Sequence, residues 1–122
     1  MRRAALVMAL VLLACGTGTL TKSQPMTVEI ANNNWYADTV ILYCVGAGPD
    51  RAIRGLVMGE RRRVRLRRSG CREYAVVVEG LGGLSYRHPA YVLAGPGLLV
   101  CIDIAPSIHL TAVWPCGDRT DS

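Results

Sequence analysis

The amino-acid sequence predicts an all-β fold: an antiparallel sandwich of about seven to eight short strands, with a small barrel as the alternative. Three observations carry this expectation. From Met26 onward the chain is a series of short apolar runs cut by turn residues at roughly 8–12-residue spacing. The runs either alternate apolar with polar residues or are rich in β-branched and aromatic ones. No segment carries a sustained 3.6-residue apolar stripe, so no long helix is expected.

Taken in order, Met26, Val28 and Ile30 alternate with Thr27 and Glu29, the pattern of a half-buried strand. Asn32-Asn33-Asn34 is a turn cluster. Thr39–Val45 reads as a central strand. Gly46–Asp50, with its Gly-Pro-Asp, must turn, and Ala52–Met58 reads as a third strand ended by Gly59-Glu60. Arg61–Arg68 alternates again, with Val64 and Leu66 set against Arg63, Arg65 and Arg67, until Ser69-Gly70 breaks it. Glu73–Glu79 is a fifth strand. Tyr86–Leu93 is a weaker one, with Pro89 marking an edge or a kink. Gly95-Pro96-Gly97 turns into the buried strand Leu98–Ile104, and Pro106-Ser107 into a last strand, Ile108–Trp114. Sandwiches of this strand count are of the immunoglobulin or transthyretin-like kind.

Ahead of this domain the chain has a different character. Arg2-Arg3 precedes an apolar run, Ala4–Ala14, of 11 residues. That is the length of a secretory h-region, and well short of the roughly 20 residues of a bilayer span. Leu12-Leu13-Ala14-Cys15 resembles the lipobox of bacterial lipoproteins, with an aliphatic residue three positions before a cysteine and a small one just before it. The resemblance implies that Leu12 and Ala14 serve recognition, that cleavage precedes Cys15, and that the Cys15 thiol carries lipid. It also implies export and attachment to the cell membrane through the N-terminal lipid. Gly16, where many lipoproteins retained at the inner membrane have Asp, points to the outer membrane, facing the periplasm, in a Gram-negative host. Gly16–Pro25 is small and polar and reads as a tether. The expected organisation is thus a signal peptide over 1–14, a lipidated tether over 15–25, a sandwich over 26–117 and a disordered tail over 118–122. Asn-Asn-Asn-Trp, Asp38 and the late Gly-Pro-Gly also resemble features of small β-sandwich lipoproteins, which implies a fold and no activity.

Cleavage would leave 108 of the 122 residues, enough for one domain. Lys+Arg would fall from 14 to 12 against 9 Asp+Glu, a mild formal +3. With Cys15 lipidated, Cys44, Cys71, Cys101 and Cys116 remain, an even set that favours two disulfides in an exported domain. Cys44–Cys71 with Cys101–Cys116 is the preferred pairing, because each closes a short loop. No cysteine pair has zinc-ligand spacing and both histidines are isolated, so no metal site and no cofactor are expected.

Three sets of residues are candidate sites. Six of the eight residues 61–68 are Arg. Arg63, Arg65 and Arg67, with Arg61 near the end of the row, would share one strand face and could pair with phosphate or carboxylate. The plainer reading is a solvated outer face that discourages edge-to-edge pairing. The aromatic residues Trp35, Tyr36, Tyr86, Tyr91 and Trp114 could stack on sugars or anchor a partner. The chain has no Phe, so these side chains are expected to fill the core instead. His88, His109, Ser85 and Ser107 permit a catalytic set on paper, but no nucleophile elbow, phosphate loop or metal pair accompanies them. No catalytic residue is assigned and no enzyme is expected. Export and the lack of a binding motif argue against nucleic acid. The expected role is a non-enzymatic structural or interaction module of the cell envelope. Its partner would be an anionic envelope component, met through Arg61–Arg68, or a protein. Inhibition of an envelope-attacking hydrolase is a further alternative.

Overall fold

The period-2 stretches pair into nine strands in a computed structural model that describes residues 25–66 and 71–118. The expectations for Leu12, Ala14 and Cys15, for the tether over 15–24, for Arg67 and for residues 119–122 lie outside the described residues. The strands are β1 (Met26–Asn32), β2 (Ala37–Cys44), β3 (Gly48–Ile53), β4 (Arg61–Leu66), β5 (Glu73–Gly80), β6 (Ser85–Arg87), β7 (Val92–Leu93), β8 (Leu98–Ile104) and β9 (Ala112–Asp118). They form a four-stranded sheet in the order β4-β1-β8-β9 and a five-stranded sheet in the order β3-β2-β5-β6, with β7 also on β5. The two sheets pack face to face as a sandwich and do not close into a barrel. The sandwich departs from the expected one in a single pairing: β1 and β8 run parallel, Val28 beside Val100 and Ile30 beside Ile102.

Alternation explains the core. Val28 and Ile30 of β1, Val40 and Leu42 of β2, Val76 and Val78 of β5, and Val100, Ile102 and Ile104 of β8 all point between the sheets and are almost wholly buried. Leu56, from the segment after β3, plugs the same core.

Four predicted elements are revised. β3 lies earlier than expected, because the chain turns tightly at 45–47 with Ala47 N–H donating to the Cys44 carbonyl at 3.0 Å. Pro49 is accommodated because β3 is an edge strand and the register slips between Leu42 and Tyr43. Residues 54–58, expected to finish a strand, turn instead at Gly55, which has φ +72°. The single run Tyr86–Leu93 splits into β6 and β7 around Pro89. Residues 108–110 form a 3-10 turn, so β9 begins at Ala112 and runs through Pro115, again on an edge, to Asp118, one residue into the expected tail.

The cysteines pair as Cys44–Cys71 and Cys101–Cys116, each with Cα atoms 5.7 Å apart. Cys44–Cys71 packs against the edge of the core. Cys101–Cys116 ties β8 to β9 beside a register slip between Leu99 and Val100. Two disulfides of this kind indicate an oxidising, exported environment.

Candidate functional site

The sandwich has two unlike ends. Pro25 leads into β1 at one end, where Gly97 N–H donates to the Pro25 carbonyl. At the other end four segments meet: 33–36, 54–60, 81–84 and 105–111. The strand registers place them together, since Ala31 pairs with Arg61, Asn32 with Ile104 and Ala37 with Gly80.

The asparagine cluster holds this end. Asn32 and Asn34 are buried. The Asn34 carbonyl oxygen accepts from the Tyr36 and Ala37 backbone N–H groups at 2.8 and 3.0 Å, and its amide donates to the Ala105 and Pro106 carbonyls. Asn32 Oδ1 accepts from Asn34 N–H, and its amide donates to the Ala37 carbonyl. Leu81 N–H donates to the Tyr36 carbonyl, and Gly59 N–H to the Asn32 carbonyl. Gly80 is needed here: a Cβ at that position would overlap the Tyr36 carbonyl. Two buried asparagines thus supply partners to loop backbone groups, of which those of Ala37 are buried.

What these loops display is apolar. Trp35 is 71% exposed and Leu110 73%, and Tyr36, Val57, Met58 and Leu81 are exposed beside them. Clustered apolar surface of this kind marks contact sites in soluble domains. The expectation that the aromatics fill the core is therefore overturned for Trp35, Tyr36, Tyr91 and Trp114. Val, Ile and Leu fill the space between the sheets, and Tyr74 is the buried aromatic residue among the described ones.

The arginine row lies on the opposite kind of surface. Arg61, Arg63 and Arg65 point outward from β4, an edge strand, in keeping with a solvated outer face. Glu29 on β1 stands opposite Arg63 and ion-pairs with both Arg61 (3.0 Å) and Arg63 (2.8 Å). Hydrogen bonds from Arg61 and then Arg63 hold the Glu29 carboxyl below the usual carboxylate range. Arg62 points the other way, pairing with Glu60 at 2.7 Å and donating to the Arg54 and Gly55 carbonyls. The Val57 N–H and Arg62 lower the Glu60 carboxyl in turn. Of the arginines assigned to anion binding, only Arg65 has no ion-pair partner among the described residues.

A cleft of about 250 Å³ adjoins this row, lined by Glu29, Ala31, Asn33, Arg61, Trp114 and, from β8, Cys101, Ile102 and Asp103. Asn33 donates to Asp103 at 2.9 Å. Sequence reasoning singled out Arg61 and Trp114 but missed Ala31 and Asp103, because their convergence depends on the register of four strands. Among the described residues no hydrogen bond joins His88 or His109 to Ser85 or Ser107. His88 Nδ1 meets the backbone of Ala90, while the His109 ring packs edge-on against Tyr86.

Compared with protein families, curated proteins and solved structures, the chain matches no family model, no curated relative and no solved structure.

Proposed function

We propose that the chain is a lipid-anchored, non-enzymatic interaction module of the cell envelope, and that it meets a protein partner through its apolar loop end. The observation that supports this reading is the polarity of the sandwich. The chain enters at Pro25, at the end opposite Trp35, Tyr36, Val57, Met58, Leu81 and Leu110. A lipid on Cys15 would leave a tether of ten residues before Pro25, reaching at most about 36 Å. The seven residues of β1 alone span about 23 Å. Folding back to the loop end would use most of that length, which favours a loop end turned away from the anchoring membrane. The loops carry few charges, chiefly Arg54 and the Glu60–Arg62 pair, and exposed Trp, Tyr, Met and Leu suit the desolvated centre of a protein interface. Because the asparagine lattice fixes the loops beforehand, little ordering is lost on contact.

A second reading, binding of an anionic polymer or lipid head groups along β4, draws on the exposed Arg65. It is weakened by Glu29, which already occupies Arg61 and Arg63.

The anchor is tested with Cys15→Ser. The variant is expected in the soluble exported fraction, and globomycin is expected to block processing of the parent chain. A Cys15→Ser protein that stays on the membrane contradicts the anchor. The contact surface is tested with Trp35→Ser and Leu110→Ser combined. Both side chains are exposed, so the melting curve is expected to hold while chemical cross-links to an envelope protein disappear. Cross-links that survive the double variant contradict the loop-end contact.

A further inference from the structure

A second site lies on the outer face of the four-stranded sheet. We propose that the cleft between β4 and β9 binds an uncharged pyranose unit of a glycan, with the Trp114 indole as its stacking wall. This goes beyond the loop-end reading and does not depend on it.

The register gives the site its shape. Arg61 of β4, Ala31 of β1 and Asp103 of β8 form one outward row, and Arg63, Glu29, Cys101 and Trp114 form the next. Ala31 makes a low floor between the taller Arg61 and Trp114. Three strand intervals of about 4.8 Å put these two walls roughly 14 Å apart at the backbone, before the side chains narrow the gap. The enclosed 250 Å³ lies just below the range of ligand pockets, which begins near 300 Å³, and suits one ring of a chain that continues into solvent. β9 carries Trp114 on an edge, but Cys116 ties it to Cys101 two residues beyond, so the wall is fixed.

The chemistry of the lining selects the class of ligand. Glu29, Asp103 and Arg61 line the cleft, and Arg63 pairs with Glu29 from beside it, so the lining presents charges of both signs. An anion would meet two carboxylates and a cation the Arg61 guanidinium. A ring bearing hydroxyls meets neither penalty, because each hydroxyl both donates and accepts. Asp103, oriented by Asn33, can accept from one hydroxyl, and the Arg61 guanidinium can donate to a neighbour. The apolar face of a pyranose then covers an indole that is 42% exposed.

The test uses the whole exported domain carrying Trp35→Phe, so that Trp114 is the reporting indole. It is titrated with chitotriose, cellotriose and maltotriose, followed by fluorescence and by amide NMR shifts. At least one of the three is expected to give a saturable change, little altered between about 0.05 and 0.5 M salt. Trp114→Ala is expected to weaken it about tenfold or more, with Trp114→Tyr recovering part of the loss. Ala31→Leu, which removes no polar group, is expected to abolish it by filling the floor. No saturable change with any of the three up to about 50 mM overturns the proposal. So does binding that survives both Trp114→Ala and Ala31→Leu, or binding confined to an anionic glycan such as heparin trisaccharide and lost in high salt. Trp35→Ser with Leu110→Ser is expected to leave the titration unchanged, so this proposal and the loop-end reading fail separately.

Discussion

The loop end and the arginine face handle polar groups in opposite ways. At the loop end the polar side chains, Asn32 and Asn34, are buried and spent on the backbone, and the exposed residues are apolar. On the arginine face the charges are exposed and spent largely on one another through Glu29. In both regions the residues that stand out in the sequence act as scaffold, and their quieter neighbours form the surface that a ligand would meet. The asparagine triplet matters because it lets Trp35 and Tyr36 stand clear. The arginine row matters because Glu29 engages two of its members beside the cleft that Trp114 lines.

The comparison breaks most readily at Asn34. Asn34→Ala strips partners from two backbone N–H groups and two carbonyls in one step. Urea denaturation is expected to show a loss of about 4 kcal/mol, four hydrogen bonds at about 1 kcal/mol each, with the Ala37 N–H left buried. A loss below about 1 kcal/mol would mean that the lattice does not hold the loops.

The disulfides come next. Cys44–Cys71 closes 27 residues and Cys101–Cys116 closes 15, which corresponds to about 3.5 and about 3 kcal/mol of loop-closure entropy. Paired Cys→Ser variants in thermal melts should rank in that order. Loss of Cys101–Cys116 should also loosen β9 and quicken amide exchange at Trp114, whereas loss of Cys44–Cys71 should leave Trp114 protected.

Glu29→Gln sharpens the other half of the comparison. Its pairs are on the surface, so the expected loss is about 1 kcal/mol or less. The folded carboxyl titrates below its unfolded value. Its contribution is therefore complete above about pH 4–5 and fades as pH falls through the folded value. The variant should lose stability at neutral pH and converge with the parent chain in acid. It also frees Arg61 and Arg63, so retention on a heparin column should rise. Unchanged retention would show that Glu29 does not mask the row.

The one expected gain is at Thr27. Its hydroxyl is buried on the same outer face with no hydrogen-bond partner among the described residues. Thr27→Val keeps the shape and removes the unpaired group, with an expected gain of about 1 kcal/mol in the same denaturation assay.

Much of the fold was legible in the sequence. Alternation fixes which side chains of β1, β4 and β8 face inward, and short loop closure favours the observed cysteine pairing. Less legible was anything decided by tertiary placement. Pro49 and Pro115 look like strand breakers until β3 and β9 prove to be edges. The absence of Phe suggested buried aromatics, but β-branched and Leu side chains pack the narrow space between the sheets, and the tryptophans stay outside. Glu29 lies more than 30 residues from Arg61, so its pairing with the row becomes visible only when β1 and β4 are in register. The cleft needs four strands in register at once.

The central claim is that the loop end makes the protein contact while the arginine row does not. The most direct measurement places a photoreactive benzoyl-phenylalanine at Leu110 or at Arg65 in the full chain and illuminates it in its own envelope. A discrete protein adduct from Leu110, lost when Trp35→Ser is added, and none from Arg65, is the predicted result. An adduct from Arg65 with none from Leu110, or equal adducts from both, would contradict the account.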